Sequence, residues 1–515
     1  MTPSHPAALH RSRRASELTA LADATTPVDV VVIGGGITGA GIALDAATRG
    51  LHTVLVESRD LAFGTSRWSS KLVHGGLRYL ATGNVGIARR SSVERGILMT
   101  RTAPHLVRAL PQLVPLLPSM GRFERGLVRT GFLAGDALRI AARTPSTVLP
   151  RSRRVDAATV ADMSPTVRRD GLDGGYLAHD GQLVDDARLV VAVARTAARY
   201  GAKILTRVRA SDATGTSVRL TDELSGESFE LGARTVINAT GVWAGEVDES
   251  ISLRPSRGTH LVFDAATFGN PTAALTVPIP GETNRFVFVM PEQLGRVYLG
   301  LTDEEAPGPV PDVPTPTDSE IGFLLDTINT ALATEVTRAD VTGAFAGLRP
   351  LIDTGEGHTA DVSRDHAVLE APSGLISVVG GKLTEYRYMA EDTLDRAIAL
   401  RGLDARACRT RSLPLVGAPA HAAEARSLAG LPASLVARYG TEARTVLESA
   451  TCERPDERVA DGIDVTRAEF EFAVTDEGAL DASDILDRRT RIGLVAADRA
   501  RAEEVAAEFV AASPR

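Results

Sequence analysis

Residues 29–57, DVVVIGGGITGAGIALDAATRGLHTVLVE, constrain the fold more than any other stretch of the chain. Residues 30–33 are an unbroken apolar run, as a parallel strand buried on both faces requires. Gly34, Gly36 and Gly39 follow in the G-x-G-x-x-G spacing. The first permits a tight turn, the second lets the backbone approach a pyrophosphate, and the third lets helix and strand pack closely. A helix over residues 37–48 then aims its free N–H groups and positive dipole end at that pyrophosphate. Gly50 stops it, residues 53–56 make a second strand, and Glu57 stands where an acid accepts hydrogen bonds from ribose hydroxyls. Strand, turn, helix, strand and acid in register describe an adenine dinucleotide site. Its place near the N-terminus, with no matching nicotinamide unit later, favours FAD over NAD.

A chain of 515 residues is long enough for two or three domains with ample core. Its 43% hydrophobic and 24% charged content is that of an ordinary soluble protein, and no run of about 18 apolar residues is present to span a membrane. Residues 1–27 carry Arg11, Arg13 and Arg14 without a continuous apolar core, so they read as a flexible cytoplasmic extension rather than a secretory signal. Cys408 and Cys452 form no metal or redox spacing, which fits a reducing compartment and no bound metal. The net charge of −8 hides a basic stretch: residues 86–169 hold fifteen Arg against five acids, interleaved with HLVRALPQLVPLLP and GLVRTGFLAGDALRIAAR. This reads as a basic helical insertion that either buries its apolar face or lies on a membrane surface. With only Phe123 and Phe132 as aromatics and no recognisable module, it is not a nucleic-acid site.

Periodicity divides the remainder. Residues 182–200 form an amphipathic helix stopped by Gly201, with a strand at 202–208. Residues 217–220 and 228–231 flank Ser225-Gly226 as a hairpin, and residues 235–239 are a buried strand before a second glycine turn at Gly241. From residue 253 the pattern is antiparallel, with short strands at 259–263, 286–290 and 297–301, then an Ile321, Leu325, Ile328, Leu332 helical stripe. The expected class is α/β: an FAD-binding domain (28–252 plus 341–400), an inserted antiparallel α+β substrate domain (253–340) and a C-terminal helical domain (401–515). Cations recur at strand ends: Arg78 after HGGL, Arg349 in GLRPL, Arg364 in SRDH and Lys382 in GGKLTEYR. An arginine fork grips phosphate or carboxylate bidentately and a lysine adds a point charge, so their recurrence points to a small anionic substrate.

The ordered set GGGITGAGIALDAATRG, SSKLVHGGLRYL, VDDARLV, NATG, GLRPL, SRDH and GGKLTEYR resembles the FAD-dependent, quinone-linked glycerol-3-phosphate dehydrogenase family. The resemblance runs from residue 28 to about residue 494. It implies a glutathione-reductase-like FAD fold with the cofactor held noncovalently. On matching positions it implies cofactor contacts at Gly34, Gly36, Gly39, Glu57, Thr65, Ser66, Ser70, Lys71, Leu72, His74, Val208, Ala239, Gly241, Gly381, Lys382, Leu383 and Thr384. It implies a sugar-phosphate pocket at Arg78, Tyr79, His260, Arg349, Arg364 and Lys382. Departures are Val242 for the usual Pro after NATG and Glu292 for a frequent Trp.

The implied reaction oxidises sn-glycerol 3-phosphate to dihydroxyacetone phosphate, with hydride passing to the flavin and electrons onward to a quinone. A base of near-neutral pKa must stand at the substrate hydroxyl, and His260 is the expected one; Arg349 is the alternative, as a group that holds the forming alkoxide. The implied partners are the substrate, a quinone, the inner face of the cell membrane through residues 86–169, and a second copy of the chain. An oxidase of the same family would use oxygen instead. A non-catalytic flavin-fold binding protein would have lost HGGLRY or GGKLT, and both are present.

Overall fold

The apolar run at residues 30–33 becomes the Val28–Ile33 strand, in which only Asp29 escapes full burial. It runs parallel to Thr53–Glu57 on one side and Ser228–Asn238 on the other. The computed structural model describes residues 5–81, 83–282, 285–353 and 365–512. The first sheet has the order His366–Glu370, Ile376–Gly380, Ser228–Asn238, Val28–Ile33, Thr53–Glu57, Lys203–Thr206, with Val208–Ser211 and Ser217–Asp222 as a lateral meander. Residues 228–231 and 235–239, expected as two strands, are one. Ser228–Asn238 alternates in burial where it pairs with Ser217–Asp222 and becomes continuously buried where it enters the sheet centre, so the pattern changes within a single strand. The helix expected at 182–200 is Asp186–Arg199, because Gln182 and Leu183 complete the Gly175–Leu183 strand. Asp185 caps the helix, accepting from Arg188 N–H at 2.9 Å.

The second sheet has ten strands, in the order Glu304–Glu305, Ser256–Asp264, Arg296–Gly300, Phe286–Pro291, Ala274–Pro278, Val107–Pro115, Gly175–Leu183, Leu72–Val73. Gly343–Arg349 and Arg153–Val155 pair off this path. Two expectations are corrected here. Residues 343–349 belong to this sheet, antiparallel to Ser256–Asp264, and not to the dinucleotide domain, so Arg349 comes from the substrate side. Residues 86–169 are not helical throughout: HLVRALPQLVPLLP is apolar because Val107–Pro115 is an interior strand, paired along its length with Gly175–Leu183. Its basic excess is partly internal too, since Arg95 and Arg139 are buried and Arg90 pairs with Glu385. What remains amphipathic at the surface is the Arg122–Ala141 helix, which leaves Phe123, Leu127, Leu133 and Ile140 exposed.

The N-terminal segment is likewise not a loose extension over its described part. Arg11–Ala22 is a helix held by polar anchors rather than an apolar stripe, which is why periodicity did not reveal it. Arg14 donates to Thr206 O at 2.7 Å and ion-pairs with Asp222, and Leu9 N–H donates to Asp476 O at 2.9 Å. The C-terminal helices enclose their own clusters around Phe470, Ile485 and Tyr439. They dock on Asp186–Arg199 through the buried pairs Arg188–Glu477 (2.6 Å) and Arg195–Glu442 (2.7 Å). Among the described residues, no helix is long and apolar enough to cross a membrane.

Glu292 follows the Phe286–Pro291 strand half-buried and accepts from Gln182 Nε2 at 2.7 Å. Burial pushes its carboxyl up to about 8, from an ordinary 4.5. A raised acid contributes stability that is complete below the unfolded value and is lost as pH rises through the folded one. The displacement corresponds to ~5 kcal/mol, and partial exposure reduces that to roughly 2 kcal/mol. Glu292→Gln should therefore melt near the wild-type temperature at pH 5 and progressively above it toward pH 9. A pH-independent difference between the two melting curves would show that Glu292 is not the titrating group.

Candidate active site

A cavity of about 1050 Å³ opens at the C-terminal end of the Val28–Ile33 strand, walled by both sheets. This is where open α/β sheets bind ligands. Gly34 sits there with φ +112°, and a Cβ on it would stand 2.6 Å from Ala239 O, so only glycine fits the turn. A Cβ on Gly39 would overlap Gly34 O, which is the helix–strand close approach expected of that position. The Ile37–Thr48 helix starts from Gly36 without a side-chain cap. Ser66 Oγ accepts from Ile37 N–H at 2.9 Å, and Gly36, Ile37 and Thr38 at the helix start line the cavity. Glu57 accepts from Gly35 N–H (2.7 Å) and Arg59 N–H (2.8 Å), and burial raises its carboxyl above the usual range.

The cavity wall includes Gly34, Gly36, Glu57, Thr65, Ser66, Ser70, Leu72, His74, Val208, Ala239, Gly241 and Gly381 through Thr384. Gly39 lies behind it. Lys71 is a correction: it does not face the cavity but is 1% exposed, with Nζ 2.8 Å from Asp186 Oδ2 and over the Phe345 ring. Backbone at φ 59° turns it away from its neighbours Ser70 and Leu72. A glycine cradle, a helix N-terminus and an acid at the second strand, in one elongated hollow, are the parts an adenine dinucleotide needs, so these residues fit FAD.

The polar wall gathers residues from far apart in sequence. Tyr79, His260, Arg349 and Lys382 all line the same cavity. Arg349 Nη1 lies 3.0 Å from Asp303 Oδ1 and 3.2 Å from Ser256 Oγ, and Nη2 donates to Thr302 O at 3.3 Å. Lys382 Nζ is 2.8 Å from Glu385 Oε1, 2.9 Å from Ser91 Oγ and 3.9 Å from the Tyr79 ring centre. Burial lowers its pKa, and Glu385 works against that. Arg78 stands on the Leu77–Ala81 helix but its side chain lies outside the described residues, as does Arg364 altogether.

His260 is in the wall, but its titration is not what the sequence implied. The ring is 1% exposed, stacks on Phe345 at 4.7 Å, and has Nε2 2.8 Å from Ser70 Oγ. Burial, with Lys71 and Arg349 adding to it, pushes its pKa down to about 3 rather than near neutral. His74 presents a different arrangement. Its Nδ1 is 2.9 Å from Asp180 Oδ2, and Asp180 Oδ1 accepts from Arg95 Nη1 at 2.6 Å and from Gly181 N–H at 3.0 Å. Burial opposes the Asp180 charge, yet Arg95 and His74 together hold that carboxyl below its usual range. A buried carboxylate that fixes one ring nitrogen leaves the other for a ligand, the geometry of a general base.

Sequence reasoning missed Asp180, Arg95, Asp303, Ser91 and Glu385. The signals were partial: Glu385 lies three residues after Lys382 in GGKLTEYR, and Asp180 sits in HDGQLVDD. Arg95 was counted only as one of the fifteen arginines of the basic stretch. The Arg122–Ala141 helix also reaches the cavity, placing Phe123, Leu127, Val128 and Phe132 in its wall together with Leu77, Leu80, Ile279 and Phe286.

Comparison with known proteins agrees with this architecture. Residues 29–387 match the family model for FAD dependent oxidoreductases, and residues 408–513 match the C-terminal domain of alpha-glycerophosphate oxidase. The chain is 73% identical over 511 residues to glycerol-3-phosphate dehydrogenase 1 of Mycobacterium tuberculosis, spanning 98% of this chain and 99% of that protein. Among solved structures it is similar to the glycerol-3-phosphate dehydrogenase of Bacillus halodurans complexed with FAD, at 27% identity and a TM-score of 0.74, covering 97% of this chain and 93% of that one. The L-alpha-glycerophosphate oxidase of Mycoplasma pneumoniae with FAD bound shares the fold alone, at 16% identity and a TM-score of 0.56 over 76% of this chain and 99% of that one. The chain belongs to the FAD-dependent glycerol-3-phosphate dehydrogenase family, and FAD is its cofactor.

Proposed function

We propose that the protein oxidises sn-glycerol 3-phosphate to dihydroxyacetone phosphate and passes the electrons to a quinone. The observation that carries this reading is the meeting, in one cavity, of the dinucleotide cradle with Arg349, Lys382, Tyr79 and a carboxylate-oriented His74. Bound FAD would supply the acceptor for the hydride from the secondary carbon, and a carbonyl then requires that the hydroxyl also lose its proton. His74, oriented by Asp180, takes the proton. Arg349 and Lys382 supply positive charge for the phosphate and the developing alkoxide, and Tyr79 stacks on Lys382 to fix its direction. His260 aligns Ser70 at the cofactor side.

The quinone reading is supported by the apolar residues with which the Arg122–Ala141 helix lines the cavity and by exposed Phe123, Leu127, Leu133 and Ile140 beside Arg122, Arg125 and Arg129. Apolar side chains flanked by arginines suit the surface of an anionic membrane, where a quinone resides. Anaerobic mixing with sn-glycerol 3-phosphate should bleach the flavin, and glycerol should do so far more slowly. An unchanged spectrum would reject the substrate. Turnover that releases peroxide in air and gains nothing from added quinone would instead assign oxygen as the acceptor.

A further inference from the structure

Two buried basic side chains from opposite ends of the chain meet on one backbone carbonyl. Lys71 Nζ donates to Arg67 O at 2.9 Å, and Arg491 Nη2 donates to the same oxygen at 2.6 Å. They are 1% and 2% exposed, and both hold left-handed backbone, at φ 59° and 66°. Non-glycine residues keep that conformation only where the surroundings impose it, and such residues gather at functional sites.

The contacts extend on both sides. Arg491 Nη1 donates to Asp487 O at 2.8 Å, and its Nε ion-pairs with Asp185 at 3.1 Å. The neighbouring Asp186 takes Lys71 Nζ and accepts from Ser69 N–H at 2.9 Å and Ser69 Oγ at 2.8 Å. Upstream, Asp60 is gripped by Arg488 Nε at 2.6 Å and by Arg489 at 2.9 and 3.0 Å. One five-residue turn of the C-terminal domain thus fastens residues 60–71 at Asp60 and at Arg67 O, the oxygen on which Lys71 also closes. Within that stretch lie Phe63, Thr65, Ser66, Trp68 and Ser70 of the cavity wall, while residues 487–491 line none of it.

We propose that the Asp487–Arg491 turn is a positioning element of the cofactor site, with Arg491 its central residue. By fixing Arg67 O it sets Ser66, which holds the Ile37 N–H at the start of the dinucleotide helix, and Ser70, which meets His260. The C-terminal domain then governs how tightly FAD is retained without touching it. This goes beyond the substrate assignment and does not depend on it, because the readout is cofactor release.

The test compares holoenzymes. Arg491→Met should release FAD at least about tenfold faster on dilution, followed as the rise in flavin fluorescence, since it leaves Arg67 O and Asp185 buried without their guanidinium. Arg438→Met is the control: it breaks a comparably buried pair with Glu469 (2.6 Å) inside the same domain, away from the loop, and should lower the melting temperature with FAD release unchanged. Arg491→Lys should fall between wild type and Arg491→Met, because one ammonium cannot span three acceptors. FAD release by Arg491→Met within about twofold of wild type, or equal acceleration by Arg438→Met, would overturn the proposal. If Arg491→Met does not fold, wild-type release from both Arg491→Lys and Asp185→Asn overturns it equally.

Discussion

Replacing His74 with Gln should slow flavin reduction by sn-glycerol 3-phosphate by about a hundredfold or more, the usual contribution of a positioned base. Asp180→Asn should cost about as much, for a reason of tautomer. The Asp180 carboxylate accepts from Nδ1–H, which places the lone pair on Nε2. An Asn amide can donate to Nδ1 instead, moving the ring proton to Nε2, where it blocks proton uptake. His260→Gln should cost less than either, because a ring buried beside Lys71 and Arg349 with its pKa near 3 does not hold a proton at neutral pH. Rapid-mixing absorbance at saturating substrate reads all three rates. The opposite ranking, with His260→Gln crippling reduction and His74→Gln nearly normal, would return the base to His260.

These expectations separate what was readable along the chain from what was not. Gly34, Gly36, Gly39 and Glu57 were legible because turn, close approach and acid are all set within 29 consecutive residues, residues 29–57. Lys382 and Arg349 were legible as cations at strand ends. Asp180 was not, since its meaning depends on Val73 pairing with Gly181, a register across more than a hundred residues that brings His74 beside it. The same limit explains the basic stretch. Charge counting could not place Arg95, and a carboxylate on a distant strand makes it an interior residue. HLVRALPQLVPLLP was open to a buried or a membrane-surface reading because an interior strand and a membrane-facing helix share an apolar composition and differ only in what covers them. Lys71 was misplaced for a smaller reason: adjacent residues in an extended loop point opposite ways, and one left-handed residue decides which faces the ligand.

Arg349→Ala should weaken kcat/KM for sn-glycerol 3-phosphate by roughly 2 to 5 kcal/mol, about thirtyfold to several thousandfold. Two effects act in the same direction. The guanidinium lost is one of the cavity's cationic groups, and the Asp303 carboxylate that faced it, 6% exposed, is left lining a site meant for an anion. Repulsion from that carboxylate makes the loss depend on the charge of the substrate, so glycerol should be affected much less. Arg349→Lys should recover part of the binding, because an ammonium restores the charge opposite Asp303 without the fork that also reaches Ser256 Oγ and Thr302 O. The double variant Arg349→Ala with Asp303→Asn should bind the phosphate ester better than Arg349→Ala alone, since the carboxylate charge that repels the ester is gone. Equal losses on the ester and on glycerol, with no gain from the second substitution, would place Arg349 in the framework of the Ser256–Asp264 strand rather than in recognition of the phosphate.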